Sequence, residues 1–434
     1  MTNQLVHSLA GVIDRVLESS SRANDMQPTK YWWPLCVATY GTEEILEALD
    51  SLCAFRTTMW EKTAEFERRF ALLEKRRHAV MVNSGSSADL LLALLMANPA
   101  RPLFEPGDEV LVPAVTWPTQ VWSIQMAGFH ARLVDVDPAT LNICPDALRR
   151  SIGPRTRAVF LVHVLGNPCP MDAVLSICRE HGLIVVEDCC EALGSTWEGV
   201  PVGNFGIGAA FSFFFSHHLT TMEGGMVTTD DDEHADHLRI LRAHGWTRNV
   251  STTAQANRAP GIDSRYTFVN WGLNVRPTEI QASFGLRQLD RLPGFAARRT
   301  ALATRFYEGI SRIPCLSGPV VDDRASVQWM ALPIMIDADA PFTRADLARH
   351  LEAEGVETRP IIAGNLARQP AARLFPGLAS GPLRGADAVH DRGLYVGLSP
   401  MFQDSAIDRL IDVLASFVQR HSRCESSTPS INAV

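Results

Sequence analysis

Two adjacent histidines, His217 and His218, follow the aromatic run Ser212-Phe213-Phe214-Phe215. A Glu223-Gly224-Gly225 turn and a second apolar run, Met226 to Thr229, come next. An unperturbed imidazole titrates near pH ~6.5, which suits proton abstraction at neutral pH. Upstream, the apolar stretch Val185-Val186-Glu187 ends in Asp188, with Glu191 just beyond. A lone Asp in such a place can simply cap a turn. Asn83-Ser84-Gly85-Ser86-Ser87-Ala88-Asp89 reads as a strand entering a Ser/Gly turn that opens a helix. Amide groups at a helix start form an anion site, although Ser and Gly also serve as plain caps. Thr116-Trp117 follows another apolar run, and a Trp is more often core than ligand contact.

These residues need a sheet to hold them. Strand patterns fall at Ala79–Asn83, Glu109–Ala114, Arg132–Val136, Ala158–Leu165, Leu183–Glu187, Ser212–Phe215 and Met226–Thr229. Helical patterns fall at Ser86–Met96, Thr119–Met126, Pro145–Ile152, Met171–His181 and Glu233–Ala243. Val-, Ile- and Leu-rich runs without polar alternation suit a sheet covered on both faces, and repeated βα units imply a mainly parallel one. Two long helices are expected next, Pro277–Leu289 and Leu292–Ile313. From about 320 the elements shorten (Met330–Ile336, Thr343–Glu354), which marks a smaller C-terminal α+β domain. The expected division is an N-terminal extension over 1–29 with one amphipathic helix (Leu5–Leu17), a large domain over 30–290, a small domain over 291–420 and a disordered tail over 421–434.

The chain has 434 residues, 46% hydrophobic and 20% charged, with a net charge of −8. That composition is ordinary for a globular enzyme and opposes non-specific nucleic-acid binding. No stretch of about 20 apolar residues could span a bilayer, and no secretory signal pattern opens the chain. Nine scattered cysteines read as reduced thiols of a cytoplasmic protein. No metal site is expected.

Residues 30–415 resemble the DegT/DnrJ/EryC1/StrS sugar aminotransferases, of the fold-type I (aspartate aminotransferase-like) class. The segments Ser216–Asp230 and His244-Gly245-Trp246-Thr247-Arg248-Asn249 carry the resemblance most specifically. Gly272-Leu273-Asn274-Val275-Arg276-Pro277 adds to it. In that family a lysine at the position of His217 holds pyridoxal 5'-phosphate covalently. Histidine has no primary amine, and no lysine occurs after Lys75. The resemblance implies that Gly85, Ser86 and Ser212 hold the cofactor phosphate, that Trp117 stacks on the ring and that Asp188 pairs with the protonated ring nitrogen. Glu191 stands at a contact position where most of the family carries Gln. Asn274 would reach a neighbouring subunit's phosphate site. His244, Arg248 and Arg276 would serve the substrate, with His244 and Arg248 reaching the partner's site, so a homodimer with shared active sites is implied.

Within the family the string at 244–249 is similar to the GDP-4-keto-6-deoxymannose 3-dehydratases. The activity so implied is removal of the sugar C3 hydroxyl from a nucleotide-linked 4-keto-6-deoxyhexose. L-glutamate would convert pyridoxal to pyridoxamine 5'-phosphate, and His217 would move the proton. Three alternatives stand beside it. One is ordinary amino transfer. Another is a non-catalytic sugar-nucleotide-binding relative. The third is an iron–sulfur 3-dehydrase branch, opposed by the absence of cysteine from 219–273.

Overall fold

The structure is a computed structural model describing residues 6, 8–26, 30–248, 250, 261–379 and 381–425. Helices α1 (Ala10–Met26), α2 (Thr42–Cys53) and α3 (Glu61–Leu73) precede strand β1 (His78–Val82) and helix α4 (Gly85–Met96). Then come β2 (Glu109–Pro113), α5 (Pro118–Met126), β3 (His130–Val134), α6 (Pro145–Ser151), β4 (Thr156–Val162), α7 (Met171–His181) and β5 (Ile184–Asp188). The short strands β6 (Thr196–Trp197) and β7 (Val200–Pro201) lead to β8 (Ala209–Ser212), β9 (Gly225–Thr229) and helix α8 (Asp232–Arg242). Helix α9 (Glu279–Ile310) opens the C-terminal part, which holds β10 (Leu316–Ser317), β11 (Ala325–Ser326), β12 (Ala331–Ile336), α10 (Arg344–Ala353), β13 (Thr358–Pro360), α11 (Arg384–Arg392), β14 (Gly393–Gly397) and α12 (Asp404–Glu425).

The central seven-stranded sheet has the order β1-β9-β8-β5-β4-β2-β3. Only β9 runs against its neighbours; β2, β3, β4, β5 and β8 pair in parallel. Helices cover both faces, so β2 and β9 are buried at every position, the burial expected of a parallel α/β sheet. A four-stranded antiparallel sheet, β10-β12-β14-β13, carries the second core. Helix α9 joins the two. Its Leu289 and Leu292 pack with Phe66, Phe70, Phe211 and Phe213, while its Leu302, Phe306 and Ile310 pack with Leu332, Ile334 and Val396.

Four expectations are corrected. The helices expected at 277–289 and 292–313 are one 32-residue helix. Pro293 removes a donor inside it, but the apolar side chains on either side bury into the two cores and hold the turns in line. Its start is fixed by a reciprocal cap, in which Thr278 Oγ1 accepts from Gln281 N and Thr278 N donates to Gln281 Oε1 at 2.7 Å. The strand expected through Phe215 stops at Ser212. Phe213 is fully buried in the following turn, its N–H donating to Gly224 O, while Phe214 is exposed. The N-terminal helix spans Ala10–Met26 and not Leu5–Leu17, where Leu5 lies outside the described residues. Helix α12 runs past 421 to Glu425, and 426–434 lie outside the described residues.

Candidate functional site

Parallel strands put their C-terminal ends on one edge, and the loops leaving that edge form a crevice. Here the edge collects the turns after β1, β2, β4, β5 and β8. They carry Gly85 and Ser86, Thr116 and Trp117, Leu165, Asp188 and Glu191, and Ser212 to His218 respectively. Strand β9 starts at the same edge, where Gly225 is paired with both Val82 and Ser212. The backbones meet closely there. A Cβ on Gly225 would lie 2.3 Å from Ser84 O, and one on Gly85 would lie 2.5 Å from the Ser212 Cβ. Ser84 caps α4 through Ser87 N at 3.1 Å, leaving the amides of Gly85 and Ser86 without intrahelical acceptors. Ser86 is exposed, Ser212 half-buried. Trp117, at the start of α5, is 55% exposed.

Asp188 ends β5 and is buried. Its Oδ1 accepts the Cys190 N–H at 2.8 Å. Burial pushes its carboxyl up, and the Cys190 amide works against that. Asp89, one turn into α4, is also buried, and its carboxylate, that of Asp188 and the Cys190 thiol lie within 4.8 Å of one another. Burial pushes the Asp89 carboxyl well up, and the Asp188 charge pushes it further. Two full negative charges at that spacing repel by roughly 3–4 kcal/mol at an effective dielectric of ~20, so burial and repulsion together oppose double ionisation of the pair. Half-buried Glu191 accepts the Leu165 N–H at 2.8 Å through Oε2. Burial pushes Glu191 up to about 8, so at neutral pH it is mostly the acid and can donate, as a Gln would.

His217 stands on the turn after β8, half-buried, its Nδ1 at 3.5 Å from Ser216 Oγ and its ring edge-on to Phe214. Burial, and then the guanidinium of Arg299, bring it down to about 4. It is therefore neutral at pH 7 and free to accept a proton. Buried His218 directs Nε2 at Gln328 O, 2.9 Å away. Arg299, on α9, is buried and donates to Leu398 O at 2.6 Å and to Met330 O at 3.1 Å. With no carboxylate bridged to it among the described residues, its charge bears on both histidines. The lysines are Lys30, Lys62 and Lys75, and none lies on the sheet edge; Lys62 is paired to Glu47 and Asp50.

The remaining predicted residues gather elsewhere. Arg248, Asn274 and Arg276 line a cleft of ≈770 Å³ together with Arg242 and Trp246, and none of the sheet-edge residues lines it. Arg276 Nε donates to Asn274 Oδ1 at 2.9 Å, and the Arg248 guanidinium lies over the Trp246 ring. His244 is exposed, with a φ of 63°. Asn249 lies outside the described residues. The chain thus carries one set of predicted residues at the sheet edge and another lining this cleft, with the Asn83 N–H donating to Val275 O at 3.0 Å between the two. Two buried groups, Asp89 and Arg299, escaped the sequence reading. The available signals were an acid inside the apolar run of α4 and a cation on the buried face of α9.

A parallel sheet with side chains converging on its C-terminal edge, joined by one long helix to a smaller antiparallel sheet, is the architecture of the fold-type I aminotransferase class. Residues 39–415 match the DegT/DnrJ/EryC1/StrS aminotransferase family, and the chain belongs to it. It is 35% identical over 386 residues to the GDP-4-keto-6-deoxy-D-mannose 3-dehydratase of Yersinia pseudotuberculosis, covering 88% of this chain and 98% of that protein. It is 37% identical over 398 residues to the dTDP-4-dehydro-2,6-dideoxy-D-glucose 3-dehydratase of Saccharopolyspora spinosa, covering 89% and 86%. Among solved structures, the E. coli GDP-4-keto-6-deoxy-D-mannose-3-dehydratase with bound hydrated PLP superposes with a TM-score of 0.85 at 32% identity, covering 88% of this chain and 99% of that one.

Proposed function

We propose that this protein is a pyridoxal/pyridoxamine 5'-phosphate-dependent 3-dehydratase of a nucleotide-linked 4-keto-6-deoxyhexose, GDP-4-keto-6-deoxymannose first, with L-glutamate as amino donor. The observation that carries this reading is a neutral histidine, His217, on the sheet edge with no lysine nearby; the resemblance puts the family's lysine at this position. The named activities of the relatives support it.

The residues present fit the cofactor. Asp188 is a buried carboxylate to which no cationic side chain is bridged among the described residues, and a protonated ring nitrogen would supply that charge. A Cβ on Gly85 would meet the Ser212 Cβ at 2.5 Å, so only glycine lets the start of α4, with its free amides, lie this close to the Ser212 hydroxyl. When bound, the cofactor supplies an amine for the sugar's carbonyl and a conjugated ring that delocalises the electrons freed by proton loss. The chain supplies the rest. Gly85, Ser86 and Ser212 donate to the phosphate. Trp117 covers one face of the ring. Asp188 holds the ring nitrogen protonated, and Glu191 donates from its acid form. His217 would accept a proton released at the cofactor's methylene carbon and pass it to the departing hydroxyl of sugar carbon 3, which would leave as water. Without a lysine to tether the cofactor, water loss competes with amino transfer.

The working enzyme is a homodimer in the same reading, with His244, Arg248 and Asn274 of each subunit completing the partner's site. The chain divides into a cofactor-binding domain over 30–290 and a small domain over 291–420. It is a cytoplasmic enzyme; among the described residues no helix is long and apolar enough to cross a membrane.

The test is incubation with L-glutamate, pyridoxal 5'-phosphate and, in parallel, GDP- and dTDP-linked 4-keto-6-deoxyhexoses. Ammonia release together with a sugar lighter by one oxygen is the expected result. An aminosugar product would replace the assignment with amino transfer, and no turnover of any such substrate would remove it.

A further inference from the structure

Asp89 is an acid where the helix around it is apolar. On α4 it stands among Ala88, Leu91 and Leu92, all fully buried, and is itself 1% exposed. One of its oxygens, Oδ1, has no hydrogen-bond partner. The groups that act on it are the Asp188 carboxylate from the end of β5 and the Thr119 hydroxyl from α5, with the Cys190 thiol also within reach. No cation faces it. Asp188 is better served, because it takes the Cys190 amide and feels the imidazole of His163. A proton held between these two buried carboxyls therefore belongs on Asp89.

We propose that Asp89 is a positioning residue that stands as a neutral carboxylic acid with its O–H turned toward Asp188, so that the pair presents a single, oriented negative charge to the cofactor's ring nitrogen. The part concerning the ring rests on the reading of Asp188 given above; the proton on Asp89 does not. An asparagine at 89 keeps a donor in the same place, and a leucine removes it while filling the space.

Infrared difference spectra of the full-length protein at pH 7, wild type minus Asp89→Asn, test whether the Asp89–Asp188 pair holds a proton. The expected result is one carboxylic-acid carbonyl band present in the wild type and lost in the variant. Glu74 and Glu191, both pushed up to about 8, add bands of their own that cancel in the difference. A difference spectrum showing only loss of a carboxylate band would overturn the proposal. The second measurement is pyridoxal 5'-phosphate affinity by absorbance titration. Loss of a hydrogen bond to a charged group weakens binding on the order of tenfold to a hundredfold, which is expected of Asp89→Leu, with Asp89→Asn recovering most of it. Equal affinities in the two variants would reduce Asp89 to a space-filler. Should Asp89→Leu fail to fold, the infrared comparison still decides. A failed dehydration assay would remove the proposed activity and leave the infrared result untouched.

Discussion

Gly85 and Ser212 approach so closely that a Cβ added to the glycine would sit 2.5 Å from the serine Cβ and 2.9 Å from its Oγ. The two residues belong to different strand exits, and β9 between them begins with a glycine that a Cβ would also drive into Ser84 O. The cradle is therefore tight at both glycines, Gly85 against the Ser212 and Cys190 side chains and Gly225 against the Ser84 backbone. Gly85→Ala would push α4 away from Ser212 at a cost of about 1–3 kcal/mol. A lower melting temperature and loss of pyridoxal 5'-phosphate retention on gel filtration are expected together. Full retention of cofactor in this variant would show that the phosphate sits elsewhere.

His217 is assigned proton transfer and no tether. His217→Asn removes the base and keeps a polar side chain of similar reach. Positioned acid–base groups contribute about 10²–10⁴-fold, so kcat for ammonia release is expected to fall by that order while cofactor affinity changes little. A variant retaining more than a tenth of wild-type kcat would take His217 out of the mechanism.

Much of this arrangement is legible in the sequence, for a physical reason. Strands covered on both faces show as unbroken apolar runs, and the residue that ends each run is placed on the sheet edge by the fold itself. Asp188 is placed on that edge by its position at the end of an apolar run, while a role for it and for Trp117 comes only from the family resemblance. The same reasoning misread Phe213 to Phe215, because apolarity reports burial and not extension: Phe213 is buried in a turn and Phe214 is exposed. It broke α9 between Leu289 and Leu292, because the packing of Leu289, Leu292 and Phe295 that keeps the helix continuous is not visible in sequence. Asp89 stands within the Ser/Gly motif, yet its significance depends on Asp188, a carboxylate far from it in the chain. Arg299 bears on His217 only because α9 lies against the turn after β8.

The pH dependence follows from two opposite shifts. His217, brought down to about 4 by burial and Arg299, is the free base at any pH well above 4. Glu191, pushed up to about 8 by burial, is the donor acid below that value. The kcat/KM profile is expected to be level between these limits, falling on the acid side as His217 protonates and on the alkaline side as Glu191 ionises. Glu191→Gln keeps the donor and cannot ionise, so the alkaline limb should move upward or vanish. The same depressed histidine affects stability. Between about pH 6.5 and about pH 4 the unfolded chain binds a proton at 217 that the folded chain refuses, so stability drops as pH falls through that window. Glu191 and Glu74, both pushed up to about 8, act in the opposite direction over this range, so the comparison is with His217→Asn. A wild-type melting temperature that falls from pH 7 to pH 4.5 no more than the variant's would contradict the depressed value.

The separation of the two residue sets makes the strongest demand on assembly. Arg248, Asn274 and Arg276 line their own cleft, and His217 and Asp188 do not border it. If the first set serves the partner's cofactor, a subunit lacking His217 and a subunit lacking Arg248 can repair each other. In a dimer of His217→Asn with Arg248→Ala, one site receives both lesions and the other receives neither. Each variant alone is expected to be nearly inactive. Mixing equal amounts after dissociation and reassembly produces half mixed dimers, each with one intact site, and restores roughly a quarter of wild-type activity. Sites built within one chain would give no recovery at any mixing ratio, because every site would keep its own lesion. Counting dimers by native mass spectrometry in the same sample separates failure to exchange subunits from failure to complement.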